Sequence, residues 1–149
     1  MIIVTRLTVV IGMPGSGKTT YTKQLLKNGE IESFYDDFQA KAPEKDKNPY
    51  LSRHYSSAVS DLRLGKNVAI SDIRYCVQRE LNLLLAAILN AVPDIELDLR
   101  YFKNEPDKCK ANVVKRASAS TELQLKLIDE YSPQYKVPSC AISILEVQD

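Results

Sequence analysis

Gly12-Met13-Pro14-Gly15-Ser16-Gly17-Lys18-Thr19 is a complete G-x-x-x-x-G-K-[ST] loop, and the apolar run Leu7 to Ile11 stands directly in front of it. The residue types state their own purpose. Gly12, Gly15 and Gly17 allow backbone N–H groups to close around phosphate oxygens, and Lys18 brings a cation to the β and γ phosphates. The Thr19 hydroxyl is then placed for Mg²⁺. Pro14, Ser16 and Thr20 complete the expected phosphate-binding set. The following stretch, Thr20 to Lys27, reads as a helix whose N-terminal dipole favours an anion as well. Strand, glycine loop and helix in this order predict a nucleoside triphosphate site.

Outward from the loop, apolar runs recur at Leu7 to Ile11, Ile31 to Tyr35, Asn67 to Ser71, Ile95 to Phe102 and Ala141 to Val147. Helical patterns lie between most of them. This alternation predicts a three-layer α/β domain with a parallel sheet of about five strands flanked by helices. The clearest helix is Val77 to Val92, where Leu81, Leu84, Leu85, Ile88, Leu89 and Val92 recur at helical spacing before Pro93. Tyr50 to Leu64, closed by Gly65, and Thr121 to Tyr131, with Thr121 as a candidate cap and Pro133 beyond, read as two more. Between them, Glu105 to Ser118 is polar and lysine-rich with only Val113 and Val114 strongly apolar, the composition of a mobile helical lid over about 104–120. Gln39 to Asn48 reads as a surface loop.

With 149 residues, one domain is expected. The 20 Lys and Arg against 19 Asp and Glu leave a net charge of +1, so no global field draws the chain to nucleic acid or anionic lipid, and any polyanion contact must be local. No run approaches the length of a membrane span, and a soluble cytoplasmic protein is the expectation. Cys76, Cys109 and Cys140 are three, widely separated and without a C-x-x-C pair, which points away from a disulfide framework or zinc site. His54 is the sole histidine and falls in a polar helix pattern that reads as a solvated face.

Parallel sheets bind ligands at the carboxyl ends of their strands. Three such places carry suitable chemistry: the glycine loop, then Asp36-Asp37, then Asp72 with Arg74 close behind. The chain has no N-K-x-D motif and no D-x-x-G after Asp72, which disfavours a GTPase. Phosphoryl transfer to an acceptor needs a base, cations on the transferred group and a cover against water, and each has a candidate. Asp36 is the candidate base, with Asp37 beside it, and an N-cap or turn is the structural alternative. Asp72 is the candidate Mg²⁺ ligand alongside Thr19, with capping again the alternative. Lys115 and Arg116 could reach over the β and γ phosphates, or simply neutralise a helix C-terminus. Arg74 could clamp an acceptor phosphate or pair with Glu80 or Asp72.

Gly-x-Pro-Gly-Ser-Gly-Lys-Thr-Thr, then Tyr-Asp-Asp-Phe, then Ile-Ser-Asp, spread over about seventy residues, resembles the kinase domain of phage-type polynucleotide 5′-kinases within the P-loop kinase superfamily. The resemblance implies a P-loop NTPase fold of AAA type, ATP and Mg²⁺ as cofactors, and Asp36 as the base that activates a 5′-hydroxyl. It also implies that Ala111 to Arg116, similar to a lid segment Arg-Asn-x-x-Arg, supplies donor-phosphate contacts, with Ala111 at the first Arg and the second falling on Lys115 with Arg116 next to it. Gln39 stands where those kinases have an acceptor-gripping Arg. Ser71-Asp72-Ile73-Arg74-Tyr75 is similar to a stretch of some viral deoxynucleoside monophosphate kinases. The resemblance as a whole implies a polynucleotide 5′-hydroxyl as acceptor, Gln39 and the Arg74 stretch favour a small nucleotide as the alternative, and a nucleotide-binding switch without transfer is the alternative from another class.

Overall fold

The computed structural model describes residues 4–38 and 54–146. Its sheet holds four strands, β1 (Arg6–Ile11), β2 (Ser33–Tyr35), β3 (Val68–Ser71) and β4 (Glu96–Tyr101), all parallel in the order β2-β3-β1-β4. Val9 is in register with Ile70 on one side and Leu99 on the other. Among the described residues five α-helices accompany it: α1 (Lys18–Lys27), α2 (Tyr55–Arg63), α3 (Gln78–Ala91), α4 (Pro106–Arg116) and α5 (Thr121–Tyr131).

Side chains alternate across a strand, and the two faces of this sheet divide accordingly. Leu7, Val9 and Ile11 of β1 and Val68 and Ile70 of β3 join one core with Ala58, Val59 and Leu62 of α2 and Leu81, Leu84 and Ile88 of α3. Ala69 points the other way, to Leu25 of α1, Ile31, Tyr21 and Phe34. A sheet covered on both faces needs uniformly apolar central strands, and from Leu7 to Ile11 every residue of β1 is buried. The α3 stripe behaves as its periodicity predicts; Leu84 is wholly buried, and truncating it to Ala is expected to cost about 2–5 kcal/mol.

The expected fifth strand does not form among the described residues. The run 141–147 contributes one isolated parallel bridge, Phe102 to Ile142, held by Ile142 N–H on the Tyr101 carbonyl (2.7 Å) and Lys103 N–H on the Ile142 carbonyl (2.8 Å). Beyond it the backbone finds other partners. Leu145 N–H donates to the Ser16 carbonyl (3.1 Å), and the Leu145 carbonyl accepts from the Asn112 side chain (2.8 Å). The tail is drawn off the sheet and laid against the glycine loop.

Other boundaries shift locally. Thr121 is the first residue of α5 rather than its cap; Ser120 occupies that position, and the Thr121 hydroxyl donates to the Ser118 carbonyl (2.7 Å). His54 is half-buried at the start of α2, its ring 5.4 Å from that of Tyr35, rather than on a solvated face. Helix α2 runs from Tyr55 to Arg63, with Leu64 as its C-cap and Gly65 just beyond, within one residue of the expected end. Gln39 to Asn48, and with it the substrate residue Gln39, lies outside the described residues, as do the first residues of the expected helix from Tyr50. No described helix is long and apolar enough to cross a membrane.

Candidate active site

The glycine loop leaves β1 at Ile11 and enters α1 at Lys18, which places the unpaired first-turn amides of α1 at its inner rim. Its shape is enforced from outside. Gly15 has φ +82°, and a Cβ there would come within 2.3 Å of the Cys109 carbonyl oxygen of α4; a Cβ on Gly17 would meet Leu145 at 2.7 Å. Lys18 Nζ donates to the Gly12 carbonyl (2.6 Å), and the Gly15 carbonyl accepts from Asn112 Nδ2 (2.8 Å). The Ser16 hydroxyl is buried with no hydrogen-bond partner among the described residues.

Over this loop opens a cavity of about 660 Å³. Pro14, Gly15, Ser16, Gly17, Lys18, Thr19 and Thr20 form its floor, and Asp36, Asp37 and Arg116 stand in its walls. Asp36 follows β2, an edge strand that β3 separates from β1, yet its turn is firmly held. Phe38 N–H donates to the Ser71 carbonyl (3.1 Å), and the Phe38 ring is wholly buried. Asp37, between them, takes φ +50°, a left-handed conformation that Asp tolerates better than most residues, and donates its N–H to Asp36 Oδ1 (2.9 Å). Burial raises the Asp36 carboxyl pKa above its ordinary value; the Asp37 charge adds to this, Lys18 and the Asp37 N–H oppose it, and Asp72 adds a smaller upward push.

Asp72 ends β3, is almost wholly buried and caps the 3₁₀ turn Ile73–Cys76, its Oδ1 accepting from Arg74 N–H (2.8 Å). Neither Asp72 nor Arg74 lines the cavity. Burial raises the Tyr131 phenol of α5 above its ordinary pKa, and the nearby Arg74 charge opposes that rise. Of the two basic residues at the end of α4, both exposed, Arg116 lines the cavity and donates to Gln124 Oε1 (3.3 Å), whereas Lys115 does not line it. Helical phase explains the difference. Cys109, Asn112 and Val113 are buried against the loop, and Arg116 continues that stripe one turn after Asn112. Lining residues without an expected role include Ile73, Leu123, Gln124, Leu127, Leu145 and Glu146. The α5 members share one helical face, a signal present in the sequence; the Leu145 contact depends on a distant partner.

The donor set suits a triphosphate: paired glycine peptides, helix amides, a lysine and an unsatisfied buried hydroxyl meet at one floor. Among the described residues no three His, Cys, Asp or Glu side chains are gathered for a metal ion. Thr19 and Asp72 would provide at most two ligands, a number suited to Mg²⁺ in sites where phosphates and water supply the remainder.

No known protein family is matched by the sequence. An uncharacterised protein of Acanthamoeba polyphaga mimivirus is 27% identical over 133 residues, spanning 89% of this chain and 87% of the relative. Among solved structures, the chain superposes on the Pnkp1/Rnl/Hen1 RNA repair complex with TM-score 0.60 and 14% identity, over 91% of this chain and 48% of that one. A fungal RNA kinase gives TM-score 0.55 and 15% identity over 99% and 76%. The fold is similar to that of an RNA kinase. An uncharacterised protein from Eubacterium ventriosum also matches, at TM-score 0.51 and 13% identity over 95% and 90%. At these identities the shared property is the fold, a P-loop kinase-like parallel α/β sheet flanked by helices. The chain spans about half the length of the repair-complex chain, 48%.

Proposed function

We propose that this chain is an ATP- and Mg²⁺-dependent phosphotransferase whose acceptor is a polynucleotide 5′-hydroxyl. The observation that carries the reading is the meeting of Asp36, the glycine loop and Arg116 in one cavity. Asp36 accepts the proton of the attacking hydroxyl; the acceptor oxygen forms a bond to the γ phosphorus as the β–γ bridging P–O bond breaks, and ADP leaves. The raised pKa makes Asp36 a stronger base once ionised than an ordinary carboxylate. Lys18 and Arg116 spread the charge of the transferred group. Bound Mg²⁺, held through Thr19 and Asp72, would neutralise phosphate charge. The structural likeness to RNA kinases supports this choice of acceptor class, and Arg74, the residue suggestive of a mononucleotide, does not line the cavity.

The test is transfer of radiolabelled γ-phosphate from ATP and Mg²⁺ to 5′-hydroxyl RNA and DNA oligonucleotides, nucleosides and nucleoside monophosphates. Labelled oligonucleotide is expected, with Asp36→Asn slower by roughly a hundredfold or more and ATP affinity retained, as loss of a general base requires. Label only on a monophosphate would overturn the acceptor. ATP binding without transfer to any member of the panel would overturn the kinase reading in favour of a nucleotide-binding switch.

A further inference from the structure

A loop that turns its amides inward to an anion turns its carbonyls outward, and buried carbonyls need donors. Here the outward groups are met from two distant segments. The Gly15 carbonyl accepts from Asn112 Nδ2 at 2.8 Å; the Ser16 carbonyl accepts from Leu145 N–H at 3.1 Å. The same Asn112 Nδ2 also donates to the Leu145 carbonyl at 2.8 Å. One carboxamide nitrogen thus holds the loop on one side and the C-terminal segment on the other, from a helix whose next turn carries Arg116 into the cavity. Asn112 is buried, and it sits where the Cys109 carbonyl presses on Gly15.

We infer that Asn112 is a positioning residue that locks the glycine loop, α4 and the 142–146 segment into a single nucleotide-competent unit. The chemistry selects the residue type. Two carbonyl acceptors facing one point require two N–H donors on one atom; a neutral amide supplies them, a hydroxyl supplies one, and an ionised carboxylate none. Without the lock, the loop and α4 can separate, and apparent nucleotide affinity falls in proportion to the competent fraction. This inference rests on the nucleotide-binding part of the proposed function and not on the identity of the acceptor.

The experiment compares wild type with Asn112→Asp and Asn112→Ser by titration with a fluorescent ATP analogue and Mg²⁺ across pH, and by hydrogen exchange without nucleotide. At neutral pH the expected order of affinity is wild type, then Ser, then Asp, with Asp weaker by roughly tenfold or more, since one buried and one half-buried acceptor lose their donor. Burial raises the carboxyl pKa of the introduced Asp, so lowering the pH regenerates an O–H donor and narrows its deficit against wild type. A change of global stability alone has no such acid rescue. Exchange at the Leu145 amide and through α4 should accelerate together in both variants. Should Asn112→Asp fail to fold, Asn112→Ser carries the same comparison. Wild-type affinity in Asn112→Ser, or faster exchange in α4 with Leu145 unchanged, overturns the inference. If wild type itself binds no nucleotide while exchange at α4 and Leu145 remains coupled, the proposed function fails and the lock stands.

Discussion

Gly15 and Gly29 offer a matched pair for separating backbone strain from contact. Both have similar left-handed conformations, φ +82° and φ +75°, but a Cβ on Gly29 would meet nothing within 4 Å, whereas one on Gly15 would lie 2.3 Å from the Cys109 carbonyl oxygen, 3.0 Å from its carbon and 3.1 Å from Val113 Cγ2. Gly29→Ala therefore reports the conformational term: about 1–2 kcal/mol for a non-glycine residue in this region, reduced by about 0.4–1 kcal/mol through the stiffer unfolded chain. Gly15→Ala adds a collision. Carbon and carbonyl oxygen keep roughly 3.3 Å even in a close C–H···O contact, so α4 must retreat by about 1 Å, and forcing a group into a filled site costs about 1–3 kcal/mol. The expected totals are about 1 kcal/mol for Gly29→Ala and about 2–4 kcal/mol for Gly15→Ala. At roughly 3–4 °C per kcal/mol for a domain of this size, thermal unfolding should separate the two variants by several degrees. ATP affinity should fall for Gly15→Ala alone. Equal destabilisation by the two substitutions would refute the close docking of α4 on the loop.

The Asp36 carboxyl is raised from its ordinary 3.8 by burial first and Asp37 second, so the acid limb of kcat/KM should lie above that value, and Asp37→Asn should move it toward acid; a limb unmoved by Asp37→Asn would contradict the coupling. A carboxyl with a folded pKa above its unfolded one contributes most stability below the unfolded pKa and loses it as pH rises through the folded pKa, so Asp36→Asn should unfold at higher temperature than wild type at pH 7 and show no such advantage at pH 3. Burial holds the Cys76 thiol up at about 12 and the Cys109 thiol at about 11, while Cys140 is exposed; a thiol reagent at pH 8 should label one cysteine quickly and the other two only on unfolding. The Tyr135 hydroxyl, buried beneath the strand ends, reaches the Phe102 carbonyl and, at 3.1 Å, that of Ile11; Tyr135→Phe should cost about 1–3 kcal/mol in urea unfolding by taking this donor from the Phe102 carbonyl, whereas the Ile11 carbonyl keeps the Phe102 N–H at 2.8 Å.

What the sequence made legible was local. The glycine loop needs only its own eight residues, and α3 and α5 are set by the spacing of leucines, which is why Thr121–Tyr131 has the expected bounds. The missing strand fails for the opposite reason. Ala141-Ile142-Ser143-Ile144-Leu145 has the alternation of a strand edge, but a backbone takes whichever partners are nearest. After Ile142 those are the Ser16 carbonyl and the Asn112 amide, 129 and 33 residues away by sequence number, which no local pattern encodes. The choice between Lys115 and Arg116 lay in between. Reading α4 as a polar flap concealed that Cys109, Asn112 and Val113 share a stripe; once that stripe is seated on the loop, helical phase carries Arg116 toward the cavity and Lys115 away from it.

The same contrast orders the acidic residues. Asp36 and Asp72 both end strands of one sheet, and the sequence gives each a capping alternative. Asp72 takes that alternative visibly, with Oδ1 on Arg74 N–H. Asp36 instead accepts the N–H of its own neighbour Asp37, while Phe38 buries its ring and ties its own N–H to the Ser71 carbonyl. Holding a carboxylate in a cavity wall, partly desolvated and beside a second acid, opposes its ionisation; the anchored Phe38 and the left-handed Asp37 supply the rigidity that keeps it there. A capping aspartate gains from its surroundings, whereas Asp36 is held against them, and this cost is the physical ground for proposing Asp36 rather than Asp72 as the base.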